Sequence, residues 1–141
     1  MANSAQNAPD QVLKTEDDVR DLEKLIVQLQ GVHIEISVLV KKAPNDGLNL
    51  FKLKLVNNIL AKGNSILTGH YKALENFTTF DESALPTNSD VTMVLALYIE
   101  QAERFRSSNM VYSDYKWRYL VNGAGSQIEG SPPTKIGRER K

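Results

Sequence analysis

The chain has 141 residues, of which 41% are hydrophobic and 24% charged, and it has zero formal net charge and no cysteine. These values are those of a single globular domain, and they exclude disulfides, thiolate metal sites and thiol chemistry. The N-terminal residues lack the basic and apolar parts of a signal peptide and no apolar run approaches about 18 residues, so we expect a cytoplasmic protein without a membrane span.

Polar ends flank one predicted domain. Residues 1–13 are polar and contain proline, and we predict that they are disordered. Residues 14–121 are predicted to form a single helical domain. Residues 122–141 are rich in Gly, Ser and Pro and end in a basic run, which predicts a disordered C-terminal tail.

The first predicted helix runs from about residue 16 to residue 42. Thr15 can cap it, and Asp18 places an acid three residues after the cap, where negative charge suits the helix dipole. Apolar residues recur along the segment at the spacing of one buried helix face. A second apolar stripe predicts a second packing partner within a bundle. It consists of Val27, Ile34 and Val38.

An alternative interpretation applies to residues 32–56. The segment from Val32 to Val38 alternates apolar and polar residues, a turn signal follows at Pro44 to Gly47, and the next segment is again apolar. This is the pattern of a β-hairpin. Helix is favoured because the first stripe continues in phase through Gly31, and because the second arm is rich in Leu and Lys.

Two further main helices are predicted at about 48–68 and 89–108. The first of them is apolar almost all round, which indicates a buried element. The other begins after a capping segment at Asn88 and carries one clean apolar face. Tyr115 to Val121 is predicted as a short C-terminal helix. The predicted fold is therefore an all-α bundle, and the alternative is an α+β fold with a β-hairpin at about 32–56.

Few residues can carry chemistry. His33 and His70 are the only histidines, and neither stands at a spacing that places two metal ligands on one helix face. Glu100 and Glu103 share a helix side, which without a matching histidine favours a solvated face. No serine stands in a nucleophile frame, and there is no phosphate-binding glycine loop. The sequence therefore predicts no catalytic residue, no metal site and no cofactor. An enzyme built on His33, with Glu35 or the two later glutamates, is the least favoured class.

The densest feature is the aromatic and basic segment at residues 112–119. It contains three of the five tyrosines, the only tryptophan and two basic residues. Aromatic side chains beside cations anchor protein interfaces and also stack on nucleic-acid bases, and the same side chains can close a helical core. We predict a protein interface here, with four contact residues: Tyr115, Trp117, Arg118 and Tyr119.

These observations favour a non-enzymatic protein that acts through protein–protein interaction, as an adaptor, small subunit or regulator. The partner is another protein or a second copy, since the near-heptad stripe of the first helix suits self-association. The alternative is a nucleic-acid-associated protein that uses residues 112–119 and the basic tail. The zero net charge disfavours it.

Overall fold

A computed structural model of the chain describes residues 11–135. It contains three α-helices, which are α1 (Glu16–Lys42), α2 (Leu50–Ile66) and α3 (Asn88–Ser108). A 3₁₀ turn, Gly69–Tyr71, follows α2. After α3 the chain forms an antiparallel sheet in the order β1 (Met110–Ser113), β2 (Lys116–Val121) and β3 (Ala124–Glu129). None of the helices within the described range is long and apolar enough to cross a membrane.

The prediction of an all-α bundle is wrong, and the α+β class is confirmed. The three main helices lie close to their predicted bounds, but the predicted short helix at 115–121 falls on β2, and the tail predicted to be disordered from residue 122 contains β3. The hairpin predicted at 32–56 is also wrong, because that segment is the end of α1, a turn and the start of α2. Residues 1–10 and 136–141, which fall in the predicted disordered ends, lie outside the described residues.

Two tight turns explain why the C-terminal segment is a sheet. Asp114 and Tyr115 connect β1 to β2 with φ of 55° and 64°, and Asn122 and Gly123 connect β2 to β3 with φ of 54° and 80°. Two successive residues in the left-handed region form the turn that matches the right-handed twist of paired strands. The Asn-Gly pair is the strongest short hairpin signal that a sequence contains.

Side-chain caps fix where the helices begin. Thr15 and Asp18 form a reciprocal capping box at the start of α1, as the sequence predicts. Asn49 caps α2 through its side-chain oxygen. The cap of α3 is Thr87, whose hydroxyl accepts a hydrogen bond from the Asp90 N–H, so Asn88 is the first residue of the helix and not part of its cap.

The helices and the sheet share one hydrophobic core. α1 packs along α3, α2 covers the adjacent side of α1, and β2 contacts α1. Asn109 connects the two layers, because its side chain accepts from the Leu13 N–H at 3.2 Å and its carbonyl accepts from the Leu120 N–H at 2.7 Å. The core includes Leu22, Leu25, Leu29 and Ile36 of α1, Leu53 and Leu60 of α2, Leu95 and Phe105 of α3, and Met110 and Tyr119 of the sheet.

Candidate interaction surfaces

The β1–β2 hairpin projects an aromatic end into solvent. Tyr112 and Trp117 lie opposite each other on the two strands, with ring centroids 5.4 Å apart. Trp117 is half-buried against the core, whereas Tyr112 is mostly exposed. Tyr115 sits in the turn itself and is 91% exposed. We name these three residues, Tyr112, Tyr115 and Trp117, the hairpin tip.

The backbone at Tyr115 is an unusual place for a large side chain. Its φ of 64° lies in the left-handed region, where a residue other than Gly, Asn or Asp is uncommon and costs on the order of 1 kcal/mol. The turn holds the ring away from every other residue, since almost all of its surface faces solvent. The turn requires this backbone conformation, and the exposed aromatic side chain that it carries makes Tyr115 a candidate contact residue.

Lys116 and Arg118 lie on the opposite face of the sheet from Trp117, and both bond to side chains of β3. Arg118 donates from Nη1 to Oε1 of Gln127 at 2.8 Å, and Lys116 pairs with Glu129 at 3.0 Å. Alternate residues of a strand point to opposite faces, so Arg118 does not stack on the aromatic rings of the hairpin tip.

Tyr119 is placed differently from the other three predicted contact residues. Its side chain is 0% exposed and belongs to the core, so it cannot meet a partner in this conformation. Burial raises the pKa of its hydroxyl to about 12. The hydroxyl oxygen has no hydrogen bond of good geometry within residues 11–135, although Arg106 and Glu23 lie near enough to influence its pKa. The structure thus brings Tyr115, Trp117 and Arg118 to the hairpin, whereas Tyr119 anchors its base.

A buried ion pair fixes the segment after β3 against α3. The Arg106 guanidinium forms two bonds to the Glu103 carboxylate, at 2.8 and 2.9 Å, and also donates to the backbone oxygens of Ser131 and Pro132. Thr134 donates to Glu103 through its N–H at 2.8 Å and through its hydroxyl. Burial acts to raise the pKa of Glu103, but these hydrogen bonds outweigh it and hold the pKa below its ordinary value.

This cluster corrects two expectations. Glu103 was expected on a solvated helix face, yet its side chain is only 13% exposed. Lys135 was expected in a disordered basic tail, yet it pairs with Glu100 at 2.8 Å and lowers the pKa of that carboxyl. The sequence offered no signal for this contact, because residues 131–135 show no periodic pattern.

The acids and histidine considered for catalysis do not form one site. His33 lines a shallow groove between α1 and α3 that Glu100 also borders, whereas Glu35 faces α2 and pairs with Lys52 at 3.5 Å. Glu100 is engaged by Arg104 and Lys135. Across residues 11–135, no three His, Asp or Glu side chains come together as ligands for a metal ion.

The second apolar stripe of α1 faces solvent. The sequence predicts that Val27, Ile34 and Val38 pack on another helix of a bundle, but they are 67%, 67% and 50% exposed. They lie on the side of α1 opposite its buried residues, and we name them the α1 outer stripe. On α3, Met93 and Leu97 are exposed beside Ala96, which lines the same groove as Ile34. The helical layer therefore presents apolar side chains to solvent.

Comparison of the chain with protein-family models, with curated proteins and with solved structures found no match. Function is therefore argued from these surfaces alone.

Proposed function

We propose that this chain is a non-enzymatic protein-interaction module, an adaptor or small subunit of the cytoplasm, that binds a partner protein through the hairpin tip. The observation that carries the proposal is Tyr115, which is 91% exposed on a left-handed turn beside the Tyr112–Trp117 pair. Tyrosine and tryptophan are the residues that most often dominate binding energy at protein interfaces, because they offer a large, rigid contact area.

The partner segment that fits best is an extended one. Among the described residues, β1 pairs only with β2, so it is an edge strand of the sheet. An edge strand presents unpaired backbone N–H and C=O groups, to which an added strand can bond. Val111, Tyr112 and Ser113 of β1 are all exposed. An extended peptide along β1 would bond to its backbone and place its own side chains against the aromatic rings of the hairpin tip.

The charges of the sheet favour protein over nucleic acid as the partner. Lys116 is paired with Glu129, and Arg118 is bonded to Gln127. Binding to a phosphate backbone depends on cations that release counterions, and such binding weakens steeply as salt rises. A binding site with paired cations and exposed aromatic rings is better suited to a partner protein, whose binding depends less on salt.

Site-specific photo-crosslinking tests the proposal. A photoreactive phenylalanine analogue replaces Tyr115 in one variant and, as a matched control, Phe51 of α2 in another, because Phe51 is an aromatic residue of similar exposure on a different surface. We expect a discrete adduct to a second protein species in cells at position 115 and not at position 51. The adduct should disappear when Trp117→Ala is added.

Three results would contradict the proposal. Adducts that contain nucleic acid and vanish at high salt would favour the alternative partner class. The same adduct ladder at both positions would indicate nonspecific contact. No adduct at position 115, from a variant shown to be folded, would remove the hairpin tip as the site.

A further inference from the structure

Within residues 11–135, no other segment covers the α1 outer stripe. Val27, Ile34 and Val38 follow one another along a single side of a 27-residue helix, and each is at least half exposed. Isolated exposed hydrophobic residues are ordinary, but an aligned set on a rigid helix is typical of a contact surface.

Gly31 lies in the middle of this stripe, and no contact within the described residues 11–135 requires a glycine there. A glycine within a helix costs about 1 kcal/mol relative to alanine. A Cβ atom added at Gly31 would have no heavy atom within 4 Å, and the residue is exposed, so neither packing nor backbone conformation explains the glycine. Close approach of a second chain is one arrangement in which a glycine at this position is favourable.

The spacing of the four positions defines how a second helix would fit. Residues 27, 31, 34 and 38 are separated by 4, 3 and 4 positions, which is the spacing of a coiled-coil seam. In an antiparallel pair centred between Gly31 and Ile34, the Ile34 side chain of each copy enters the space above Gly31 of the other. Val27 then lies opposite Val38 of the second copy.

We infer that the α1 outer stripe is a self-association interface, on which a second copy of this chain packs α1 against α1 in antiparallel orientation. A parallel pair would place Gly31 opposite Gly31 and leave a cavity at that layer, which is destabilising. The antiparallel pair fills the same space with Ile34. This inference is independent of the proposed function, since the hairpin tip contributes nothing to this surface.

Charge along α1 favours the same orientation. Residues 16–29 contain five acids and two bases, for a net charge of −3, whereas residues 30–42 contain one acid and two bases, for a net charge of +1. An antiparallel arrangement brings the acidic half of each copy beside the basic half of the other, and a parallel one brings the acidic halves together. Glu23 and Lys41 lie on the same flank of the stripe and would face each other across the pair.

The absence of cysteine from the chain makes the orientation directly measurable. In the antiparallel pair, positions 27 and 38 of different copies are neighbours, whereas the two copies of position 27 are about 16 Å apart along the axis. A disulfide needs Cα atoms closer than about 7 Å. Three variants are therefore oxidised at the same concentration: Val27→Cys, Val38→Cys and the double variant.

We expect efficient disulfide-linked dimers from the double variant and little from either single variant. Efficient cross-linking of the single variants would overturn the antiparallel arrangement. Sedimentation velocity of the unmodified chain gives the second readout. We expect the unmodified chain to sediment as a dimer. Ile34→Glu should raise the dissociation constant of the dimer at least about tenfold, whereas Val111→Glu, an exposed substitution on the sheet, should leave it unchanged. A chain that is monomeric at about 1 mM, or equal effects of the two glutamates, would overturn the interface itself.

Discussion

The two apolar sides of α1 are alike in sequence and opposite in environment. Leu22, Leu25 and Leu29 on the inner side are at most 1% exposed, whereas Val27 and Ile34 on the outer side are each 67% exposed. Both sides repeat at helical spacing. Apolar periodicity therefore predicts that a helix face makes contacts, but it does not predict whether those contacts lie within the same chain.

The aromatic segment of the sheet shows the same contrast between a buried and an exposed side chain, over a shorter stretch of sequence. Tyr115 and Tyr119 are four residues apart, yet the first lies in solvent at the turn and the second lies in the core. The alternation of a strand and the position of the turn separate their roles. A helix over the same residues, as the sequence predicts, would have placed the two side chains on one face.

The largest expected effect is on the inner side of α1. Leu29→Ala should lower the free energy of unfolding by about 3–4 kcal/mol, because it leaves a cavity at a fully buried position. Ile34→Ala removes a comparable apolar side chain from the outer side and should change the free energy of unfolding of the monomer by less than about 0.5 kcal/mol. Urea denaturation, at a protein concentration low enough for the chain to be monomeric, measures the free energy of unfolding of both variants. Equal losses would mean that the outer stripe is packed within the monomer.

The buried ion pair of α3 gives the next effect in size. Glu103→Gln should lower the free energy of unfolding by about 3 kcal/mol, since it leaves the Arg106 guanidinium buried without a counter-charge. The matched control is Glu129→Gln, which breaks an exposed pair with Lys116 and should cost less than about 1 kcal/mol. The same denaturation experiment measures both, and a loss at Glu129 as large as that at Glu103 would contradict the assignment.

The pKa of Glu103 predicts the pH dependence of that stability. Its folded pKa lies below the ordinary value, so the unfolded chain takes up the proton first as pH falls. The contribution is present above the unfolded carboxyl pKa of about 4.3 and is lost as pH falls through the folded pKa. The temperature of thermal unfolding, measured from pH 7 down to acidic pH, should fall in the natural chain and should fall less in Glu103→Gln.

A smaller effect of opposite sign is expected at Gly31. Gly31→Ala should stabilise the monomer by about 0.5–1 kcal/mol, because alanine favours helix and its Cβ meets no neighbour. The measurement is thermal unfolding at a concentration where the chain is monomeric. A destabilised monomer would show that Gly31 has an internal role.

The smallest effect is expected at the base of the hairpin. Tyr119→Phe removes a buried hydroxyl that has no well-formed hydrogen bond in the described part of the chain. We expect stability to change by less than about 1 kcal/mol, in the stabilising direction. The same substitution should leave cross-linking from position 115 intact, whereas Trp117→Ala should abolish it.

The helices could be predicted from the sequence because their signals are local. Thr15 with Asp18 marks the start of α1, and the apolar periodicity of all three helices extends over several turns. The sheet is not predicted because its strands are short and because the Asn122-Gly123 turn stands in a segment whose composition is that of a loop. β3 carries three small residues and only one large apolar residue, which gives it the composition of a loop.

Of the candidate site, the sequence identifies the segment, but it predicts neither the hairpin that this segment forms nor the roles of its residues. Composition identified residues 112–119 as unusual, and Tyr115 and Trp117 do lie together at the hairpin tip. Tyr119 could be assigned to the core only after the strand direction was known. The contact of residues 131–134 with Arg106 depends on backbone oxygens, which a sequence does not distinguish.

Sedimentation velocity of Gly31→Leu separates specific packing on the α1 outer stripe from nonspecific association. Leucine strengthens the helix and adds apolar surface to the outer stripe, so nonspecific hydrophobic association would increase. If Ile34 of a second copy packs above Gly31, the added side chain blocks that approach. We expect a dissociation constant at least about tenfold higher than that of the natural chain. A Gly31→Leu chain that dimerises as well as the natural chain, or better, would contradict it.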